Sequence, residues 1–141
     1  MPITADDRFE IQDLYARYSR AVDANNGALW IDCWTPDGEF VPAVGPTAGT
    51  PYRGHQAISD FGNVRPDNYT RARIWTGNYL LEDRGDYVEG TCYGLVVTVD
   101  GPAPELSAAI VYHDEIVRHE GKWKFRARRP RLDVERDRGQ G

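Results

Sequence analysis

The chain is poor in sulfur and in imidazole: among 141 residues there are two cysteines, one methionine and three histidines. Cys33 and Cys92 have no metal-ligand spacing with one another or with a histidine. Their simplest reading is buried free thiols in a reducing cytoplasm. No apolar run approaches the ~20 residues of a membrane-spanning helix. The opening MPITADDRFE lacks a basic stretch followed by an apolar one, so a secretory leader is not expected. A formal net charge of −5 argues against a general nucleic-acid binder. There is no Gly-rich phosphate loop or dinucleotide fingerprint. No His/Cys/Asp cluster has metal spacing, and no Ser-His-Asp arrangement can be argued. Neither a metal nor a cofactor is therefore expected, which leaves proton transfer as the accessible chemistry.

What is present reads as one α+β domain. Ile11, Leu14, Tyr15, Tyr18 and Val22 follow the spacing of one helical face. Thr4 suits the cap of that helix, with Asp6 and Asp7 at the positive end of its dipole. Asn25-Asn26-Gly27 supplies the stop. Asp23 falls in the last turn, where the carbonyl end repels an anion, so a functional site is one reason for its presence. A solvated aspartate is the other.

A second helix is expected over residues 28–34, with Trp30, Cys33 and Trp34 on one face. Thr35-Pro36-Asp37-Gly38 reads as a tight turn, and residues 39–41 as a short strand. Residues 42–51 read as loop, 52–54 as a short strand and 55–61 as a third helix. The polar stretch 62–69 suits the rim of a pocket. The period then changes to two. Strands are expected over 73–82, 87–100, 106–119 and 122–129, the last two joined by a hairpin at Glu120-Gly121. Residues 1–133 form the expected domain and 134–141 a disordered tail. Helices followed by hairpin-linked strands predict a curved antiparallel sheet wrapped over the first helix, a cone open at one end. The arginines at 126, 128, 129 and 131 are expected to be solvated or ion-paired, with room for one to turn inward.

This order of elements resembles the SnoaL-like branch of the NTF2-like superfamily. The resemblance is carried by IQDLYARYSRAVD, WTPDGEF, the strand ending TGNYLLE, and VYHDEIVRHEGKWKFRARR. The superfamily holds ketosteroid isomerases, scytalone dehydratase, polyketide cyclases, a hexachlorocyclohexane dehydrochlorinase, dioxygenase small subunits and noncatalytic transport factors. The fold alone does not fix the activity. By resemblance, Asp23 matches the helix-end aspartate that pairs with a catalytic histidine in the dehydrochlorinase and dehydratase. Tyr18 matches the oxyanion-binding tyrosine of the isomerases. His113 falls at their second oxyanion donor, and Arg128 falls near a pocket arginine of the dehydrochlorinase. Asn78 resembles a recurrent strand asparagine. Two positions depart from the pattern. Ile74 stands where the aspartate's histidine partner belongs, and Pro42 stands at the isomerase general base.

The resemblance implies a lyase or isomerase, of the dehydratase or cyclase kind, working without a cofactor on a small apolar cyclic or aromatic metabolite. The alternative is a noncatalytic binding or assembly subunit. The catalytic candidates are Asp23, His113 and Tyr18. Strand alternation puts His113 with Val111 on one face and Tyr112 with Asp114 on the other, and the isomerase register turns His113 to the pocket. Asp23 either orients His113 or is itself the base, its pKa raised by Trp30, Trp34 and Trp75. Trp34, Trp75, Asn78, Tyr93 and Arg128 are the candidate substrate contacts. The strands over 87–100 and 106–119 are apolar at consecutive positions, so both faces of the sheet should be covered. A second copy on the outer face is expected, as a homodimer or alternatively a trimer.

Overall fold

Helix α1 (Ala5–Asp23) buries Ile11, Leu14, Tyr15, Tyr18 and Val22, the stripe its spacing defines. The computed structural model describes residues 2–63 and 72–132. The expected tail at 134–141 and most of the expected rim at 62–69 lie outside the described residues. Thr4 caps α1 as anticipated and forms a reciprocal pair with Asp7, at 2.8 Å and 3.1 Å. Asp7 also accepts from Trp123 Nε1 at 3.3 Å and pairs with Arg118, tying the helix start to the sheet. Asn25 takes a positive φ of 52°, so the stop works through left-handed backbone.

Helix α2 (Gly27–Ile31) is shorter than expected. Cys33 is already paired with the sheet, its carbonyl accepting from Phe125 N at 2.8 Å. The Thr35-Pro36-Asp37-Gly38 turn is not formed. Those residues run inside strand β1 (Trp34–Phe40). The pairing of β1 is irregular between Trp34 and Glu39, and a proline is tolerated where the ladder lapses. Strand β2 (Tyr52–Arg53) and helix α3 (Gly54–Asn63) follow. Then come β3 (Ala72–Asp83), β4 (Val88–Thr98), β5 (Glu105–His119) and β6 (Lys122–Leu132).

The six strands lie in the order β2-β1-β6-β5-β4-β3. Among the described residues only the β1–β6 pair is parallel. The helices cover the inner face, over a core of Trp30, Trp34, Phe40, Ile116 and Phe125. Two of the sheet's register irregularities bear on which side chains of β3 and β6 face inward. Beyond Gly77 the β3–β4 register shifts, with Asn78 at φ 56°. In β6, Phe125 faces Ile116 and Ala127 faces Glu115, which leaves Arg126 as the extra residue of a bulge. The bulge resets the alternation, and Arg128 turns inward opposite Asp114.

The outer face divides by character. Over β1, β5 and β6 it carries an ion-pair chain, Arg53–Glu39–Arg129–Glu115–Arg126. Over β3, β4 and the start of β5 it presents Trp75, Leu80, Tyr93, Leu95 and Leu106, all exposed.

Candidate functional site

A cavity of about 280 Å³ opens between α1 and the concave face of the sheet. Tyr18, Val22 and Asp23 of α1 form one wall; Ile74 of β3, Val96 of β4 and Ile110 and Tyr112 of β5 form the opposite one. Phe40, the segment at 42–44 and Phe61 close the side. Thr98 and Ser107, whose hydroxyls bond each other, also line it. The lining is mainly hydrocarbon, with a carboxylate and two phenols among the few polar groups.

Asp23 Oδ1 accepts a hydrogen bond from Ile74 N at 3.1 Å. Asp23 thus meets residue 74 in space. Isoleucine offers it only a backbone N–H. Strand β3 is an edge strand, and Asp23 satisfies one of its donors. Burial raises the Asp23 carboxyl above its ordinary value, while the Ile74 N–H and the charges of Arg73 and Arg20 pull it down. Within this cavity the apolar groups beside it are Val22, Ile74 and their neighbours, not the expected tryptophans; Trp75 meets Asp23 only along a separate groove between α1 and β3.

Behind the cavity lies a sealed polar cluster. Arg128 is 0% exposed, with its Nε 3.2 Å from Asp114 Oδ1. Tyr15 donates to Asp114 Oδ2 at 2.6 Å. Burial pushes the Asp114 carboxyl up, against the pull of the Arg128 charge and the Tyr15 hydroxyl. The guanidinium carbon lies 3.7 Å from the centre of the Tyr112 ring and 4.3 Å from that of Tyr18. Arg128 thus stands behind two rings of the cavity wall and does not itself line the cavity.

Of the catalytic candidates, Tyr18 and Asp23 share the cavity and His113 does not. Strand β5 buries Ile110, Tyr112, Asp114 and Ile116, so His113 projects from the outer face. The even positions face inward because Asp114 answers the inward-turned Arg128, a pairing the resemblance did not supply. Four binding candidates are also displaced. Trp75 (63% exposed) and Tyr93 (54% exposed) stand on the outer face. Asn78 is the exposed, positive-φ residue where the β3 register shifts. Trp34 is sealed in the core against Tyr18, Trp30 and Phe40. The residue overlooked in the sequence is Tyr112, whose parity was legible and whose face was not.

The SnoaL-like domain model matches residues 4–129. No curated protein matches the chain. Among solved structures, an Asp-to-Asn variant of Rv3472 from Mycobacterium tuberculosis, described as of unknown function, is 27% identical with a TM-score of 0.76. That match covers 91% of this chain and 72% of the other. ActVI-ORFA from Streptomyces coelicolor is 26% identical with a TM-score of 0.77, covering 90% of this chain and 97% of that one. A protein from Catenulispora acidiphila, solved in complex with S-DNPA, is 23% identical with a TM-score of 0.81, covering 96% and 99%. The architecture is the NTF2-like, cystatin-like fold, and it is compatible with cyclase- or dehydratase-type chemistry. The family match spans nearly all of the described sheet and α1, and the chain belongs to the SnoaL-like domain family.

Proposed function

We propose that the protein is a cofactor-independent lyase or isomerase, of the dehydratase or cyclase kind, acting on a small apolar cyclic or aromatic metabolite. The observation that carries this reading is Asp23: a carboxyl with a raised pKa, in the wall of an apolar cavity it shares with Tyr18. Burial makes the carboxylate a stronger base toward a bound carbon acid than it is in water. In the proposed step Asp23 takes a proton from a carbon beside a ligand carbonyl. The C–H electron pair moves onto the carbonyl oxygen, which accepts a hydrogen bond from Tyr18. The enolate then expels a neighbouring hydroxyl, which leaves as water with the Asp23 proton. In a cyclase it attacks a second carbonyl; in an isomerase the proton returns at another carbon. His113 has no part in the step, since it lies on the far face.

Turnover against hydroxylated aromatic and polyketide-like substrates tests the proposal. Asp23→Asn is expected to lose roughly 10²–10⁴ in rate. A wild-type rate in that variant, on a substrate that turns over, would overturn it.

One observation favours the binding-subunit reading. Asp23 is held by a backbone N–H where a histidine partner would stand. Ligand binding without turnover across the panel would decide for that reading. We further propose that the protein works as a cytoplasmic homodimer. The support is the exposed apolar half of the outer sheet face and two buried free thiols.

A further inference from the structure

Tyr112 is 5% exposed, lies on the inner face of β5 and lines the cavity opposite α1. Its ring is fixed from two sides. The Arg128 guanidinium carbon lies 3.7 Å from the ring centre. Gly94, on the neighbouring strand, leaves the space the ring occupies: a Cβ there would fall 2.6 Å from Tyr112 Cε2. Any larger residue at 94 would drive the phenol out of place. Tyr18, from α1, lies against the same guanidinium. Two phenols from different elements thus share one buried cation at one wall of the cavity. Asp23 follows Tyr18 by five positions on the same helix, roughly 7.5 Å along its axis.

A cation beside a phenol makes its O–H a better donor and disfavours a second cation nearby. The group that suits this wall is therefore a hydrogen-bond acceptor carrying partial or full negative charge. The hydrocarbon lining above it suits the rest of a ring system.

We propose that Tyr112 is a ligand-contacting residue of this cavity, donating a hydrogen bond to a carbonyl or phenolate oxygen of a planar cyclic ligand alongside Tyr18. The assignment rests on the reading of the cavity as the site for such a ligand. It adds the residue that recognises the oxygen and the acceptor chemistry of that oxygen.

The test compares two probes of nearly the same shape, 2-naphthol and naphthalene, binding to the full chain by fluorescence titration in alkaline buffer, where the naphthol is ionised to the phenolate. Wild type is expected to bind both, and 2-naphthol more tightly. Tyr112→Phe keeps the ring and its stacking on Arg128 while removing the hydroxyl. It is expected to weaken 2-naphthol roughly tenfold, the worth of one well-placed hydrogen bond, and to leave naphthalene unchanged. Gly94→Ala, which displaces the ring, is expected to lose the same preference. If Tyr112→Phe shifts neither probe, or shifts both alike, the Tyr112 assignment is overturned while the cavity reading stands. If wild type binds neither probe, the cavity is not a site for planar ring ligands, and the proposed function falls together with this inference.

Discussion

Replacing Asp114 by Asn should be among the costliest near-isosteric changes in the chain. The substitution keeps the shape of the side chain and removes its charge. Arg128 then remains fully buried, with its Nε 3.2 Å from a neutral amide in place of a carboxylate. The Tyr15 hydroxyl, 2.6 Å away, loses a charged acceptor for a neutral one. Two unit charges about 4 Å apart attract by about 4 kcal/mol at the effective dielectric of a protein site. Breaking one side of a buried pair generally costs about 3–5 kcal/mol, because the other charge is left unpaired. Domains of this size are stable by about 5–15 kcal/mol, so Asp114→Asn should remove a large part of the total.

Urea unfolding at neutral pH measures the loss, followed through the fluorescence of the buried Trp30 and Trp34. The midpoint should fall while the slope stays constant, which identifies a change in stability rather than in compactness. The double variant Asp114→Leu with Arg128→Met removes both charges and is expected to be less damaged than Asp114→Asn alone. If Asp114→Asn costs less than about 1 kcal/mol, or if the double variant is the worse of the two, the ion pair is not what holds Arg128 in place. The stacking on Tyr15, Tyr18, Tyr112 and Phe125 would then be its main support.

Three further outcomes are expected. Asp23 has a folded pKa above its unfolded value near 3.8, so its ionised form costs stability above the folded pKa, and that cost vanishes as pH falls below the unfolded one. Asp23→Asn should therefore melt higher than wild type at neutral pH and level with it in acid; a lower melting temperature at neutral pH would make the carboxylate chiefly a cap for Ile74 N. His113→Ala should leave turnover unchanged, and a rate loss approaching 10² would place the imidazole at the chemistry after all. Light scattering on a size-exclusion column should give twice the 15.9 kDa of one chain, and Trp75→Glu with Leu95→Glu should halve it; a wild-type mass of one chain would leave the exposed half-sheet without a partner copy.

How far the sequence carries depends on whether a pattern fixes a period or a face. Helix α1 needed only a period: five apolar residues defined its buried stripe, and the structure buries all five. The long strands also declared their period, and Tyr112 was correctly set apart from His113. What alternation cannot declare is which set faces the helices, because β4 and β5 are apolar on both sides. Local breaks then reset the count. The shift after Gly77, with Asn78 at positive φ, separates inward Ile74 from inward Tyr79 and Leu81 by an odd number of positions. The Arg126 bulge brings Arg128 to the face of Phe125. Gly77 marks the first irregularity, as a glycine inside a strand can, whereas the Arg126 bulge has no proline or glycine beside it. One signal was nonetheless available. Asp114 and Arg128 are opposite charges on adjacent antiparallel strands, and the hairpin at Glu120-Gly121 brings them face to face. An aspartate beside Tyr112 in the most apolar strand needed a buried counter-charge. Matching it to an arginine of the C-terminal run would have fixed the inward face of β5, moved His113 outside, and left Tyr112 as the side chain to follow into the cavity.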